Sequence, residues 1–110
     1  MNNTITEFVV TKDPKNSNWT CGYIILTDNN NNKHKYTWEV KHFDAGSSFG
    51  INNGRISKLF VLQEDKQTYD KTNAASLFNG CVINYDRGWD IKPEDDMTNI
   101  VYQKLLEEYN

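Results

Sequence analysis

Several features of secreted or membrane proteins are missing from this 110-residue sequence. Its first residues contain neither a basic stretch nor an apolar run, so no secretory signal is predicted. No apolar run approaches the roughly 20 residues that a membrane-spanning helix needs. Only two cysteines are present, Cys21 and Cys81, and we expect both to be free thiols. These absences favour a soluble protein of the cytoplasm, and exclude a membrane partner from the expectations.

Basic residues are also in short supply. There are 12 Lys and Arg against 15 Asp and Glu, so the formal net charge is −3. A general nucleic-acid-binding protein carries a basic excess, which this chain lacks. Hydrophobic residues make up 37%, but aromatic residues reach 13% and can build a compact core. The length is that of one ordinary domain, so residues 1–110 are predicted to form a single domain.

Five stretches have the composition of β-strands, which favour β-branched and aromatic residues. They are residues 4–12, 19–27, 33–43, 55–62 and 81–86. The third stretch alternates most cleanly, with Tyr36 and Trp38 on one side and lysines on the other. Such alternation predicts a half-buried antiparallel strand. Between residues 48–52 and 55–62, Asn53-Gly54 predicts a tight type I′ hairpin.

A helix is predicted over residues 93–108. Pro93 suits the first helical position, and the acidic residues 94–96 suit a first turn. Glu107 and Glu108 oppose the helix dipole, which predicts fraying at the end. One face is apolar: Met97, Ile100, Val101, Tyr102, Leu105, Leu106 and Tyr109. The predicted fold class is therefore α+β, with a meander-like antiparallel sheet of five to six strands packed by one C-terminal helix.

No motif predicts a metal or a cofactor. His34 and His42 lie eight residues apart on one predicted strand, about 26 Å at about 3.3 Å per residue, so they cannot share a metal ion. The recurring glycines at 46, 50 and 54 lack the Gly-Lys-Ser/Thr of a phosphate-binding loop, which leaves turns and bulges. A small enzyme using Asp86, Asp90 and His42 is the weakest hypothesis, because nothing positions a substrate.

Two clusters combine charge, aromatic residues and glycine at predicted strand ends. They are GINNGRISKL at residues 50–59 and YDRGWD at residues 85–90. Tyr, Trp and Arg dominate interface hot spots, so these clusters supply a candidate interaction surface. Its members are Arg55, Lys58, Tyr85, Asp86, Arg87, Trp89 and Asp90. The alternative is structural: Arg87 pairs with a carboxylate, and Trp89 closes the core where the chain turns into the helix.

The same clusters carry a family resemblance. SSFGINNGRISKL at residues 47–59 and YDRGWDIKP at residues 85–93 resemble the motifs SxFGIxxGRISKL and YDRGWDxxP. These motifs mark a family of small uncharacterised proteins of Gram-positive bacteria, their phages and mobile elements. The resemblance spans roughly residues 36–109 and implies a phage or mobile-element accessory protein. Such proteins often bind a host macromolecule, and inhibitors of CRISPR or other defence systems are a frequent class.

Three expectations about partners follow. The first is a non-enzymatic binding module acting on a host protein, such as a defence nuclease complex. The second is a nucleic-acid-associated module with a basic surface and with Trp89 or Tyr85 as stacking platforms. Its cations would be Lys33, Lys35, Lys41, Arg55, Lys58 and Arg87. The third is a homo-oligomer, since the edges of the sheet need protection.

Overall fold

The computed structural model describes residues 3–12, 19–64 and 80–110. Within them, six strands form one antiparallel sheet in the order β1-β2-β3-β4-β5-β6, so each strand pairs with its neighbour along the chain. The α+β meander with one helix is therefore confirmed. The elements are β1 (Thr4–Lys12), β2 (Trp19–Thr27), β3 (Lys33–His42), β4 (Ile56–Gln63), β5 (Cys81–Asp86), β6 (Trp89–Ile91) and the helix α1 (Asp96–Tyr109).

The core lies between one face of the sheet and α1. Trp38 is fully buried at its centre, stacked on Phe8 of β1 and in contact with Tyr109 of α1, with ring centroids 5.5 Å apart in each pair. Val101 and Leu105 of α1 are also fully buried. Each such side chain contributes about 1.5–3 kcal/mol on burial. The sheet contributes a further row: Ile24, Leu26, Tyr36, Val40, Leu59, Val61 and Ile83.

The helix begins at Asp96, not at Pro93 as predicted. Asp95 is the N-cap, and its carboxylate accepts the backbone N–H of Thr98 at 2.7 Å. An Asp cap satisfies a helical N–H that has no intrahelical partner, which a proline at the first position cannot do. The helix runs to Tyr109, and the Lys104 ammonium pairs with the Glu108 carboxylate at 3.0 Å. Glu107 and Glu108, where fraying is expected, thus lie within the helix, and Glu108 has a cationic partner.

The predicted hairpin at Asn53-Gly54 is wrong. Residues 43–55 form a long loop between β3 and β4, with a short 3-10 turn at Ile51–Asn53. Asn52 and Asn53 have positive φ, while Gly54 has φ of −93°. The Gly54 N–H donates to the Ile51 carbonyl at 2.8 Å, so a turn with the φ signs of type I′ lies one residue earlier than predicted. This turn lies within the 43–55 loop and does not join two strands.

The sixth strand lies at Trp89–Ile91, and residues 48–52 belong to the loop. The pairing of β5 with β6 makes YDRGWD a hairpin, in which Asp86 N–H donates to the Gly88 carbonyl at 2.9 Å. The Asp-Pro and Asn-rich composition of residues 13–18 predicts a turn, and residues 74–78 have the composition of a short helix or of an apolar plug against the sheet; both segments lie outside the described residues. Within the described ranges, no helix has the length and apolar character needed to cross a membrane.

Candidate interaction surface

The two sequence clusters meet at one corner of the sheet. The Tyr85 hydroxyl of β5 donates to the Phe49 carbonyl of the 43–55 loop at 2.7 Å. The Arg87 N–H donates to the Ser57 carbonyl of β4 at 3.0 Å. Residues far apart in sequence are thus joined by direct hydrogen bonds, and the two clusters form one structural unit.

Tyr85 and Trp89 lie on the helix side of this corner. Tyr85 is only 7% exposed, and its ring meets the Trp89 ring edge-on at 5.0 Å. Trp89 also meets Tyr102 of α1 edge-on at 5.6 Å. The interpretation that Trp89 closes the core is therefore confirmed. Since their rings pack on each other and on α1, neither residue is placed as an open stacking platform.

Lys58, Asp86 and Arg87 lie on the other side of the sheet. Lys58 Nζ and Arg87 Nε are each 3.7 Å from Asp86 Oδ1. The expected pairing of Arg87 with a carboxylate is confirmed, but contacts of this length at the surface contribute at most about 1 kcal/mol. Asp90 is exposed, and Arg55 is half-buried, with its carbonyl accepting the Phe43 N–H at 3.0 Å.

Phe43 and Phe49 are the residues that sequence reasoning missed. Their side chains are 40% and 59% exposed. The available signal was a phenylalanine in a Gly/Ser-rich segment without strand alternation, where no apolar face can bury it. Both rings line a cavity of about 370 Å³. We call the surface formed by the residues that line this cavity the Phe49 patch. Its residues are Lys41, Phe43, Ser47, Phe49, Ser57, Lys58 and Arg87.

The loop that presents Phe49 is tightly held. A side chain at Gly50 would collide with the Gly54 carbonyl, so the two segments of the loop touch backbone to backbone. Asn110, just after α1, accepts the Ile56 N–H at 3.0 Å and donates to the Ile51 carbonyl at 3.1 Å. Ile51 itself is buried in the core. The Phe49 ring is thus exposed on a fixed backbone.

Arg87 adopts a backbone conformation that disfavours most residues. Its φ is +55°, in the left-handed region, which costs a non-glycine residue about 1–2 kcal/mol. Glycine adopts this conformation more readily, and the next residue is Gly88, yet Arg87 occupies the position. Local strain of this kind concentrates at functional sites. Here it coincides with a guanidinium placed beside the exposed phenylalanines.

Two residues of the enzyme hypothesis, His42 and Asp86, lie on opposite sides of the sheet. The His42 ring lies on the helix side, 4.8 Å from the Tyr109 ring, with Nε2 3.0 Å from the Thr20 hydroxyl. Asp86 lies on the opposite side of the sheet. In the described part of the chain, no three His, Cys, Asp or Glu side chains form a group able to hold a metal ion. Cys21 and Cys81 are free, and burial raises the pKa of each thiol.

The family described as Domain of unknown function (DUF7678) matches residues 18–110. The chain belongs to this family. The DUF7678 match contains β2 to α1 and the whole Phe49 patch, whereas β1 lies outside it. No curated protein and no solved structure matches the chain. The residues of the patch therefore lie within the match to the family, whose description assigns no activity.

Proposed function

We propose that this DUF7678 protein is a non-enzymatic binding module that docks on another protein through the Phe49 patch. One observation carries the proposal: the Phe49 ring is 59% exposed while its backbone is fixed by Tyr85. Interface hot spots are large, rigid side chains near a cavity, and a fixed backbone lowers the entropy lost on binding. The Phe49 ring is therefore available to a partner at little cost in conformational entropy.

The proposal includes a biological setting. The motifs at residues 47–59 and 85–93 resemble those of proteins from Gram-positive bacteria, their phages and mobile elements. In that setting the protein acts in the cytoplasm of a bacterial host. Its partner is a host protein, and inhibition of a defence system such as a CRISPR nuclease complex is the corresponding activity. This part is supported by the resemblance of the two motifs.

A nucleic-acid-associated role is the second candidate. Lys33, Lys35 and Lys41 alternate with the buried residues of β3 and so share the sheet face away from α1. On that face Lys35 lies over the Tyr23 ring, with Nζ 4.7 Å from the centroid. A gel-shift titration with single-stranded and duplex DNA at low salt tests this role. Absence of any shift removes it.

Site-specific photo-cross-linking tests the proposed function. The photoreactive residue p-benzoylphenylalanine replaces Phe49 in one variant and Val10 in the other. Val10 is a matched control, since it is 43% exposed and lies on the edge strand β1. In lysate of a Gram-positive host, we expect a light-dependent adduct from position 49 only. Excess unlabelled protein should compete with it, and Phe49→Ser protein should not. Equal adducts at both positions, or none at 49, contradict the proposal.

A further inference from the structure

We infer that the Phe49 patch takes an acidic polypeptide segment whose single apolar side chain enters between Phe43 and Phe49. This inference rests on the proposed function and specifies the partner's chemistry. Three features carry it: the charge of the cavity wall, the charge of the rest of the molecule, and the apolar surface at the centre.

The wall of the cavity is cationic. Lys41, Lys58 and Arg87 line it, and no carboxylate does. A wall with three cations and no carboxylate is unexpected by chance in a chain with 15 acidic and 12 basic residues. The nearby Asp86 carboxylate, 3.7 Å from both Lys58 and Arg87, offsets only one of the three positive charges. The patch therefore keeps a net positive charge.

Negative charge is concentrated elsewhere. Residues 92–110 contain two lysines, Lys92 and Lys104, against five carboxylates: Glu94, Asp95, Asp96, Glu107 and Glu108. The helix covers the other face of the sheet from Lys58 and Arg87. The Phe49 patch and the α1 segment therefore carry charges of opposite sign, in a molecule whose net charge is −3. Such a charge distribution turns an acidic partner toward the patch and raises the association rate.

The centre of the patch is apolar. The Phe43 and Phe49 rings are the most exposed of the large aromatic side chains in the described residues. The Phe49 N–H is already satisfied by the Ser47 hydroxyl at 3.2 Å, and the Phe49 carbonyl by Tyr85. The Phe49 backbone groups therefore already have hydrogen-bond partners, and the rings provide the contact with the partner. A cavity of about 370 Å³ accommodates an aliphatic or aromatic side chain.

A polynucleotide fits this arrangement less well. Sequence-independent binding of single strands uses a positively charged groove that follows several successive phosphates. Here the three cations surround one cavity and do not follow an extended groove. A short peptide with carboxylates on either side of one apolar residue matches both the charge and the size.

NMR titration of isotope-labelled protein tests the inference. The probe is a nonapeptide of glutamates with one central leucine. One control peptide has glutamine in place of glutamate, and another has serine in place of leucine. We expect saturable shifts of the amides of residues 41–49, 57–58 and 87 with the probe. Each control peptide should bind at least about tenfold more weakly than the probe. Added salt should weaken binding of the probe, because it screens the charges.

A charge-reversed variant sharpens the test. Lys41→Glu combined with Arg87→Glu should abolish the shifts with the acidic probe and produce shifts with a lysine nonapeptide carrying the same central leucine. Unchanged amide positions for Trp38 and Val101 show that the variant is folded. If the double variant does not fold, Lys41→Gln alone should still weaken binding of the acidic probe several-fold. Equal binding of the acidic and glutamine peptides, or shifts from a thymidine 12-mer alone, overturns the inference.

Failure of the inference is distinguishable from failure of the proposed function. Mass spectrometry of the adduct formed at position 49 identifies the captured segment. A neutral or basic segment overturns the acidic-partner inference and leaves the binding function standing. A segment with several Asp or Glu around one apolar residue agrees with both.

Discussion

Asp28 holds the connection between β2 and β3 through a single carboxylate. Its Oδ1 accepts the N–H groups of Asn30 and Asn32, both at 2.9 Å, and its Oδ2 lies 2.7 Å from His34 Nε2. The His34 hydrogen bond is the largest cause of a lowered pKa for Asp28, followed by the backbone N–H of Asn32. Hydrogen bonds to the ionised form favour it over the neutral form, so the fold is stabilised by this charge.

The lowered pKa of Asp28 predicts an acid-dependent loss of stability. Its contribution is complete above the ordinary carboxyl pKa of about 3.9 and is lost as the pH falls through the lowered pKa. Asp28→Asn keeps an oxygen acceptor but removes the charge. The wild type should therefore be more stable than this variant near neutral pH, and the difference should shrink in acid. Urea denaturation at a series of pH values measures it.

His34→Gln is the companion variant, because it removes the largest cause of the shift. The pH dependence of stability in His34→Gln should therefore resemble that in Asp28→Asn. A stability difference between wild type and Asp28→Asn that stays constant down to acid pH contradicts the prediction.

Two glycines provide a matched test of close packing. A side chain at Gly50 collides with the Gly54 carbonyl, whereas one at Gly88 meets no atom within 4 Å. Gly50→Ala should therefore destabilise the protein by about 1–3 kcal/mol, as overpacking does. Gly88→Ala should change the free energy of unfolding by less than about 0.5 kcal/mol. Chemical denaturation compares them, and equal losses would show that the close backbone contact is unimportant.

Among the elements, the 43–55 loop is coupled to the helix by one amide side chain. Asn110 bridges to Ile51 and Ile56, which are 59 and 54 residues away along the chain. Removing this side chain leaves the Ile56 N–H and the Ile51 carbonyl without these partners. An unsatisfied buried group costs about 1–3 kcal/mol. The loop that presents Phe49 therefore depends on where α1 ends.

Asn110→Ala should accelerate hydrogen exchange at the Ile56 amide and reduce cross-linking from position 49, with little change at the centre of β3. Asn99→Ala is the control, because its amide makes an exposed bond to the Asp95 carbonyl within the same helix. Exchange at Ile56 that is equally slow in both variants would mean that Asn110 does not hold the loop.

At the scale of the whole molecule, the sheet could be predicted and the loop could not. Alternation in residues 33–43 and the apolar stripe of residues 97–109 are local patterns with fixed periods, and they correctly give strand and helix. The position of the turn before Gly54 depends instead on Asn110 and on backbone contacts inside the loop. Such contacts leave no periodic trace in the sequence. The short β6 is likewise created by pairing with β5 rather than by its own composition.

Part of the Phe49 patch lies within the two sequence clusters. They contain Lys58, Asp86 and Arg87, which the structure brings to one corner of the sheet, because charged and aromatic residues at strand ends are visible in sequence. Which aromatic rings face outward was not visible, since Tyr85 and Trp89 turn toward α1 while Phe43 and Phe49 do not. That division depends on the face of the sheet on which each residue falls, and hence on loop geometry.

The sequential strand order has a consequence for synthesis of the chain. Each strand can pair with the one made just before it, so sheet formation needs only short-range contacts along the chain. The element that covers the apolar face, α1, is made after β6. A nascent sheet on the ribosome therefore leaves Trp38 and its neighbours uncovered until α1 has emerged. During that interval the growing protein is most exposed to aggregation and to chaperones.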